Sequence, residues 1–177
     1  MKKQVYTWKH VESMVQDLVH QLYKSPWKPD YLVGLTRGGL TPAVMLSNRL
    51  NIPMYALDVR LRDTHKDYEP ESNLWMAENA FGYVADGETA GTQWDIDVAK
   101  NILIVDDIND TGETFKWIKQ DWPSGCLPAH DRWRHVFHNN VKFAVLTNNL
   151  SSEEDVDFYV DEVNKAEKPV WLVYPWE

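Results

Sequence analysis

Apolar residues recur at intervals of three and four between Trp8 and Tyr23, at Val11, Met14, Val15, Leu18, Val19 and Leu22, which is the stripe of an amphipathic helix. Thr7 stands where a side-chain oxygen caps the first turn, and Pro26 and Pro29 end the helix. Tyr31 to Leu35 then reads as a short buried strand, Leu40 to Leu50 as a helix and Pro53 to Val59 as a second strand. From Arg60 to Glu71 charged residues and histidine follow one another with no apolar rhythm, predicting a mobile surface loop. A short helix is expected over Asn73 to Ala80, and a hairpin or irregular excursion over Phe81 to Thr92, where Gly82, Gly87 and Gly91 punctuate the chain.

Ile102-Leu103-Ile104-Val105 is apolar throughout and stops abruptly at Asp106 and Asp107. Such a run suits an interior parallel strand, covered on both faces and ending at a polar carboxyl edge. A helix over roughly Thr111 to Gln120 follows, then a long connection from Trp122 to Asn140 with a short helix from Asp131. Val141 to Leu146 is a further strand, and Phe158 to Val160 and Val170 to Tyr174 are short apolar pieces. Strands alternating with helices predict an α/β fold with a twisted, mainly parallel sheet. A length of 177 residues suits one domain, 1–177.

Composition narrows the function classes. A net charge of −9 argues against a basic face for nucleic acid, so no nucleic-acid partner is expected. Cys126 is the single cysteine, which leaves neither an internal disulfide nor a zinc cluster. No stretch is apolar enough for a membrane span, and the opening MKKQVYTWKH lacks a secretory core, so a cytoplasmic protein is expected.

The candidate chemistry sits after the two best strands. Beyond Asp106 and Asp107, Asp110 and Thr111 are placed to cap a helix, Gly112 allows close approach of a ligand, and Thr114 adds a hydroxyl in the first turn. Free N–H groups and the helix dipole make such a turn a seat for phosphate. The acidic pair fits the same ligand if it holds sugar hydroxyls or Mg2+. A ribose bearing a 5-phosphate and a magnesium-bound leaving group meets all these demands. Thr36-Arg37-Gly38-Gly39 repeats the strand-turn-helix logic, with backbone donors at the glycines and a planar guanidinium at Arg37.

The stretch ILIVDDINDTGET resembles the phosphoribosyl pyrophosphate motif of the type I phosphoribosyltransferases at every defining position. The resemblance implies that family's core, with a small hood lobe from the N- and C-terminal segments over the site. It assigns Asp106, Asp107, Asp110, Thr111, Gly112, Glu113 and Thr114 to ribose 5-phosphate, and Thr36, Arg37, Gly38 and Gly39 to pyrophosphate. It further implies a cis Thr36–Arg37 peptide and Mg2+ held by Asp106 and Asp107. Arg37 and Asp110 are the expected catalytic residues, Arg37 on the leaving group and Asp110 as general base. The tail VWLVYPWE is similar to that of the purine members, xanthine-guanine enzymes in particular, with Trp171 stacking on the base and the Leu172 carbonyl accepting from its edge. The implied partners are phosphoribosyl pyrophosphate and a purine, in a homo-oligomer.

Two departures qualify the resemblance. Counting from Phe143, the position of the family's lysine that donates to the purine 6-oxygen falls on Asn149, whose amide serves a 6-oxo or a 6-amino base. Segments 60–100 and 121–140 are longer than compact members need, for a lid, an oligomer contact or a partner surface. The alternative class is a regulatory protein that keeps this fold and binds nucleotides without turnover. A receiver domain needs an early acidic pair, a phosphoacceptor and a late lysine that do not assemble here. An Asp-x-Asp phosphatase fails at Ile108.

Overall fold

Thr7 Oγ1 accepts from the His10 amide at 3.2 Å while His10 Nδ1 accepts from the Thr7 amide at 3.1 Å. This reciprocal cap, a variant of the usual box with histidine as the returning group, opens helix α1 (Trp8–Lys24), whose six predicted apolar positions are all buried. The computed structural model describes residues 1–59, 73–85 and 93–177. The predicted loop at 60–71 and residues 86–92 of the predicted excursion lie outside them.

Strands β2 (Tyr31–Leu35), β3 (Met54–Leu57), β4 (Ile102–Asn109), β5 (Val141–Asn149) and β6 (Asp161–Val163) form one sheet in the order β3-β2-β4-β5-β6, every pair parallel. Alternation of side chains across β4 divides the interior in two. Ile102 and Ile104 enter a core with helices α3 (Leu74–Phe81) and α4 (Glu113–Gly125); Leu103 and Val105 enter another with α1 and α2 (Leu40–Leu50). All four are fully buried, each worth about 1.5–3 kcal/mol of apolar transfer. Helices on both faces explain why the run shows no polar alternation.

Three elements depart from the sequence-based expectation. Strand β4 continues through Asp106 and Asp107 to Asn109, because Asp106, Ile108 and Asn109 find partners in Val145, Thr147 and Asn148 of a β5 three residues longer than predicted. The last sheet strand is the polar Asp161–Val163, while Phe158, in the short apolar piece just before it, makes only an isolated bridge with Ala144. Finally, the exposed Lys2–Val5 forms strand β1 and pairs in parallel with β7 (Val170–Val173) as a separate two-stranded ribbon. Strand β1 has no buried face and so left no hydrophobic signature.

No helix among the described residues is long and apolar enough to cross a membrane.

Candidate active site

The chain leaves β2 towards β3 on one side and β4 towards β5 on the other, so the ends of β2 and β4 flank the point where strand order reverses. Open α/β sheets bind ligands at that point, and a cavity of about 450 Å³ lies here, lined from the β2–α2 turn, the β4–α4 turn and β7.

At its floor the Asp106 carboxylate accepts from the Asp107 amide at 2.9 Å, and that of Asp107 from the Ile108 amide at 2.8 Å. Burial, then the charge of Asp107, raises the Asp106 pKa well above the usual carboxylate range; burial raises that of Asp107 too. A carboxyl raised in this way favours the folded state while protonated, and that advantage is lost as pH climbs from the ordinary carboxylate range through the raised value. Asp106→Asn is therefore expected to raise Tm at pH 8 by about 2–4 °C, roughly 1 kcal/mol for a domain this size, and by less at pH 4. Thermal melts of both proteins at the two pH values check this.

The β4–α4 turn is the expected anion seat, and its residues from Asp110 to Thr114 line the cavity. Helix α4 begins at Glu113 after Gly112, whose φ of 89° lies in the left-handed region that glycine adopts without steric cost. Asp110 and Thr111 are thus not the cap, a correction to the expected capping; Thr111 Oγ1 merely accepts from the Glu113 amide at 3.3 Å. Gly112, Glu113 and Thr114, at the helix start, line the cavity. Behind the turn, the buried Asn109 donates to Asn148 Oδ1 at 2.9 Å and Glu154 O at 2.7 Å and accepts from Ser152 Oγ at 2.9 Å. Segment 152–154 also reaches Thr111 O through the Glu153 amide at 3.1 Å. This brace was not visible in the sequence.

On the opposite wall, Thr36, Arg37 and Gly38 line the cavity and the Thr36–Arg37 peptide is cis, as expected from the resemblance. Thr36 Oγ1 donates to Asp58 Oδ1 at 2.7 Å. Gly39 departs from its assignment: its amide donates to Leu35 O at 2.9 Å, and it does not line the cavity. It serves close packing instead, since a Cβ would meet Val105 O and stand 2.9 Å from both Asp106 Cα and Leu35 N.

Asp110 faces Lys165 across the cavity, with the Lys165 ammonium 3.0 Å from its carboxylate. Asn149 is corrected here. It is buried and absent from the cavity wall, its amide nitrogen donating to Asp110 O at 2.8 Å. The cation expected near its position comes instead from Lys165, just beyond β6. The signal that finds Lys165 is structural: Asn149 pairs with Val163, two residues before it. Trp171 and Leu172 on β7 complete the cavity, and Trp171 is 52% exposed, so it fills no core.

Ribbon and sheet are joined by hydroxyls. Tyr174 donates to Asp107 O at 3.2 Å, and Thr147 Oγ1 lies 2.8 Å from the Tyr174 hydroxyl and 3.3 Å from that of Tyr6. Tyr6 donates to Asp161 at 3.1 Å. Burial pushes both phenols up, keeping them protonated. The rings of Tyr6, Tyr174 and Trp176 stack with centroids 4.9 and 5.0 Å apart, fixing β7 over the strand ends.

Comparison with known proteins gives a consistent picture. The family model for the phosphoribosyl transferase domain matches residues 1–176. The xanthine-guanine phosphoribosyltransferase of Cereibacter sphaeroides is 30% identical over 148 residues, covering 82% of this chain and 68% of that protein. The purine phosphoribosyltransferase of Pyrococcus horikoshii superposes with a TM-score of 0.64 at 26% identity, covering 100% of this chain and 95% of the other. The xanthine-guanine-hypoxanthine phosphoribosyltransferase of Helicobacter pylori shares the fold, with a TM-score of 0.64 at 16% identity and coverage of 99% and 93%.

Proposed function

The chain belongs to the phosphoribosyl transferase domain family, and on that premise we propose that it transfers ribose 5-phosphate from phosphoribosyl pyrophosphate to a 6-oxopurine, releasing pyrophosphate and a purine mononucleotide. The observation that carries this reading is the convergence on one cavity of the α4 start, Arg37, the Asp110–Lys165 pair and Trp171.

The 5-phosphate sits in the turn from Asp110 to Thr114, where first-turn N–H groups and the helix dipole meet its charge. The bond from the anomeric carbon to pyrophosphate breaks while that carbon bonds to a purine nitrogen. Arg37 stabilises the charge gathering on the departing pyrophosphate. Asp110 takes the proton lost by the ring, the role of a general base. Trp171 stacks on the purine and the Leu172 carbonyl accepts from its edge. Lys165 only donates, so it matches a 6-oxygen and not a 6-amino group; the xanthine-guanine relative has 6-oxopurines in its name.

Asp106 and Asp107 suit Mg2+, a hard cation commonly held by one or two carboxylates with substrate phosphates filling other positions. Their oxygens form such a pair, and among the described residues no third His, Cys, Asp or Glu completes an all-protein cage. Bound there, Mg2+ would neutralise the pyrophosphate charge.

Incubation with phosphoribosyl pyrophosphate, Mg2+ and separate guanine, hypoxanthine, xanthine or adenine, followed by nucleotide analysis, tests the reading. Product from at least one 6-oxopurine, with adenine turned over at least about tenfold less efficiently, is expected, the discrimination available to a site built around one hydrogen-bonding group. Absence of nucleotide from every base rejects transfer; equal use of adenine rejects the role of Lys165.

A further inference from the structure

Asn149 is one of four buried polar or charged residues among those described, being 5% exposed, and both ends of its amide are engaged. Nδ2 donates to Asp110 O at 2.8 Å and lies 3.4 Å from Asp110 Oδ1. Oδ1 accepts from the Lys165 amide at 3.0 Å and from Ser151 N and Oγ at 3.3 and 3.0 Å. One rigid planar group thus joins the backbones of the two residues whose side chains meet across the cavity.

The amide is the right chemistry for this place. One end must donate to a carbonyl while the other accepts from an N–H, and a carboxylate, an ammonium or an aliphatic side chain satisfies at most one of these. Left unpaired in a buried setting, either backbone group would be costly, so both settle on Asn149. Asp110 and Lys165 are far apart in the chain, on the β4–α4 turn and beyond β6. Apart from their own ion pair, Asn149 is the side chain that links them directly among the described residues.

We propose that Asn149 is a positioning residue that fixes the separation of the Asp110 carboxylate from the Lys165 ammonium, and hence the span in which the base is held. The proposal rests on the transfer reaction assigned above. In a fused purine ring, the nitrogen that loses its proton and the exocyclic 6-oxygen are a fixed distance apart. The ring meets both protein groups together only if their anchor points do not drift, and small misplacements are expensive in rate. Asn149 touches neither the base nor the sugar; it acts through the two residues that do.

The test is a double-mutant cycle on the full chain, with Asn149→Ala, Lys165→Ala and the combination, reading kcat/KM for hypoxanthine and the dissociation constant of phosphoribosyl pyrophosphate. Asn149→Ala is expected to lower kcat/KM for hypoxanthine by about 10–100-fold, with donor affinity changed by less than about threefold. The combination is expected to fall well short of the product of the single losses, the mark of residues acting as a unit. Asn149→Asp, which keeps the size and the acceptor but loses the donor, is expected to act in the same direction and carries the test if the alanine variant does not fold. Multiplicative losses, or equal loss of donor affinity and base turnover, overturn the proposal by making Asn149 a general scaffold. A wild-type chain inactive on every base rejects the underlying reaction, whatever the variants do.

Discussion

Asp110→Asn is expected to lower kcat by about 10²–10⁴-fold, the range of a lost general base, while binding of phosphoribosyl pyrophosphate changes only a few-fold. The separation follows from the way this turn is held. Glu153 grips the Thr111 carbonyl, and the buried Asn109 anchors the turn from beneath. None of these bonds needs the Asp110 carboxylate, so the seat for the 5-phosphate keeps its shape in the variant. What changes is the atom that receives the proton, because an amide is a far weaker base. Its oxygen still accepts from Lys165, so the ammonium keeps a partner. Pyrophosphate release measured beside calorimetric titration of the donor decides the matter. Parallel loss of both quantities would mean that Asp110 builds the turn and moves no proton.

Gly39→Ala is expected to cost about 3 kcal/mol, the upper end of ordinary overpacking, or about 6–12 °C in Tm for a chain of this size. The backbone there has φ of −76°, which alanine adopts freely, so conformation is not the obstacle. Space is. The new methyl would run into Val105 O and press on Asp106 Cα and Leu35 N. All three are backbone atoms of strands fixed by parallel ladders, and no rotamer relieves the clash. Gly125 gives the contrasting control, since a Cβ there meets only Leu74 Cδ1 at 3.4 Å. Gly125→Ala, at the last turn of α4, should be neutral or slightly stabilising. Thermal or denaturant unfolding of the two variants compares one chemical change in two settings.

These cases mark what was legible in the sequence. The β4–α4 turn and the acidic pair at the cavity were readable because an all-apolar strand, an abrupt polar end and a helix start are local signals, contained in Ile102 to Thr114. Helix α1 was readable for the same reason, its stripe lying on one continuous face. Glycine at 39 suggested a phosphate contact because Gly-Gly turns serve two purposes, exposing N–H groups or admitting a neighbouring strand, and only the third dimension separates them. Lys165 was missed because it reaches the cavity through the three-residue β6, which has no hydrophobic pattern, and through its register with β5. Counting along the chain led to Asn149, which is near the right place but serves as the clasp between two groups that face the cavity.

Strands β1 and β7 come from opposite ends of the molecule, and their ribbon carries Trp171 and Leu172. The proposed donor contacts, by contrast, lie in two compact turns, each following its own strand. On the proposed reading, stacking of the base and grip on the donor would be encoded in different stretches of polypeptide, with Asp110 and Lys165 where the two meet. Substitutions at Trp171 would then retune how a nucleobase is stacked while leaving the two sugar-phosphate turns in place, a modular arrangement that leaves room for one scaffold to diversify.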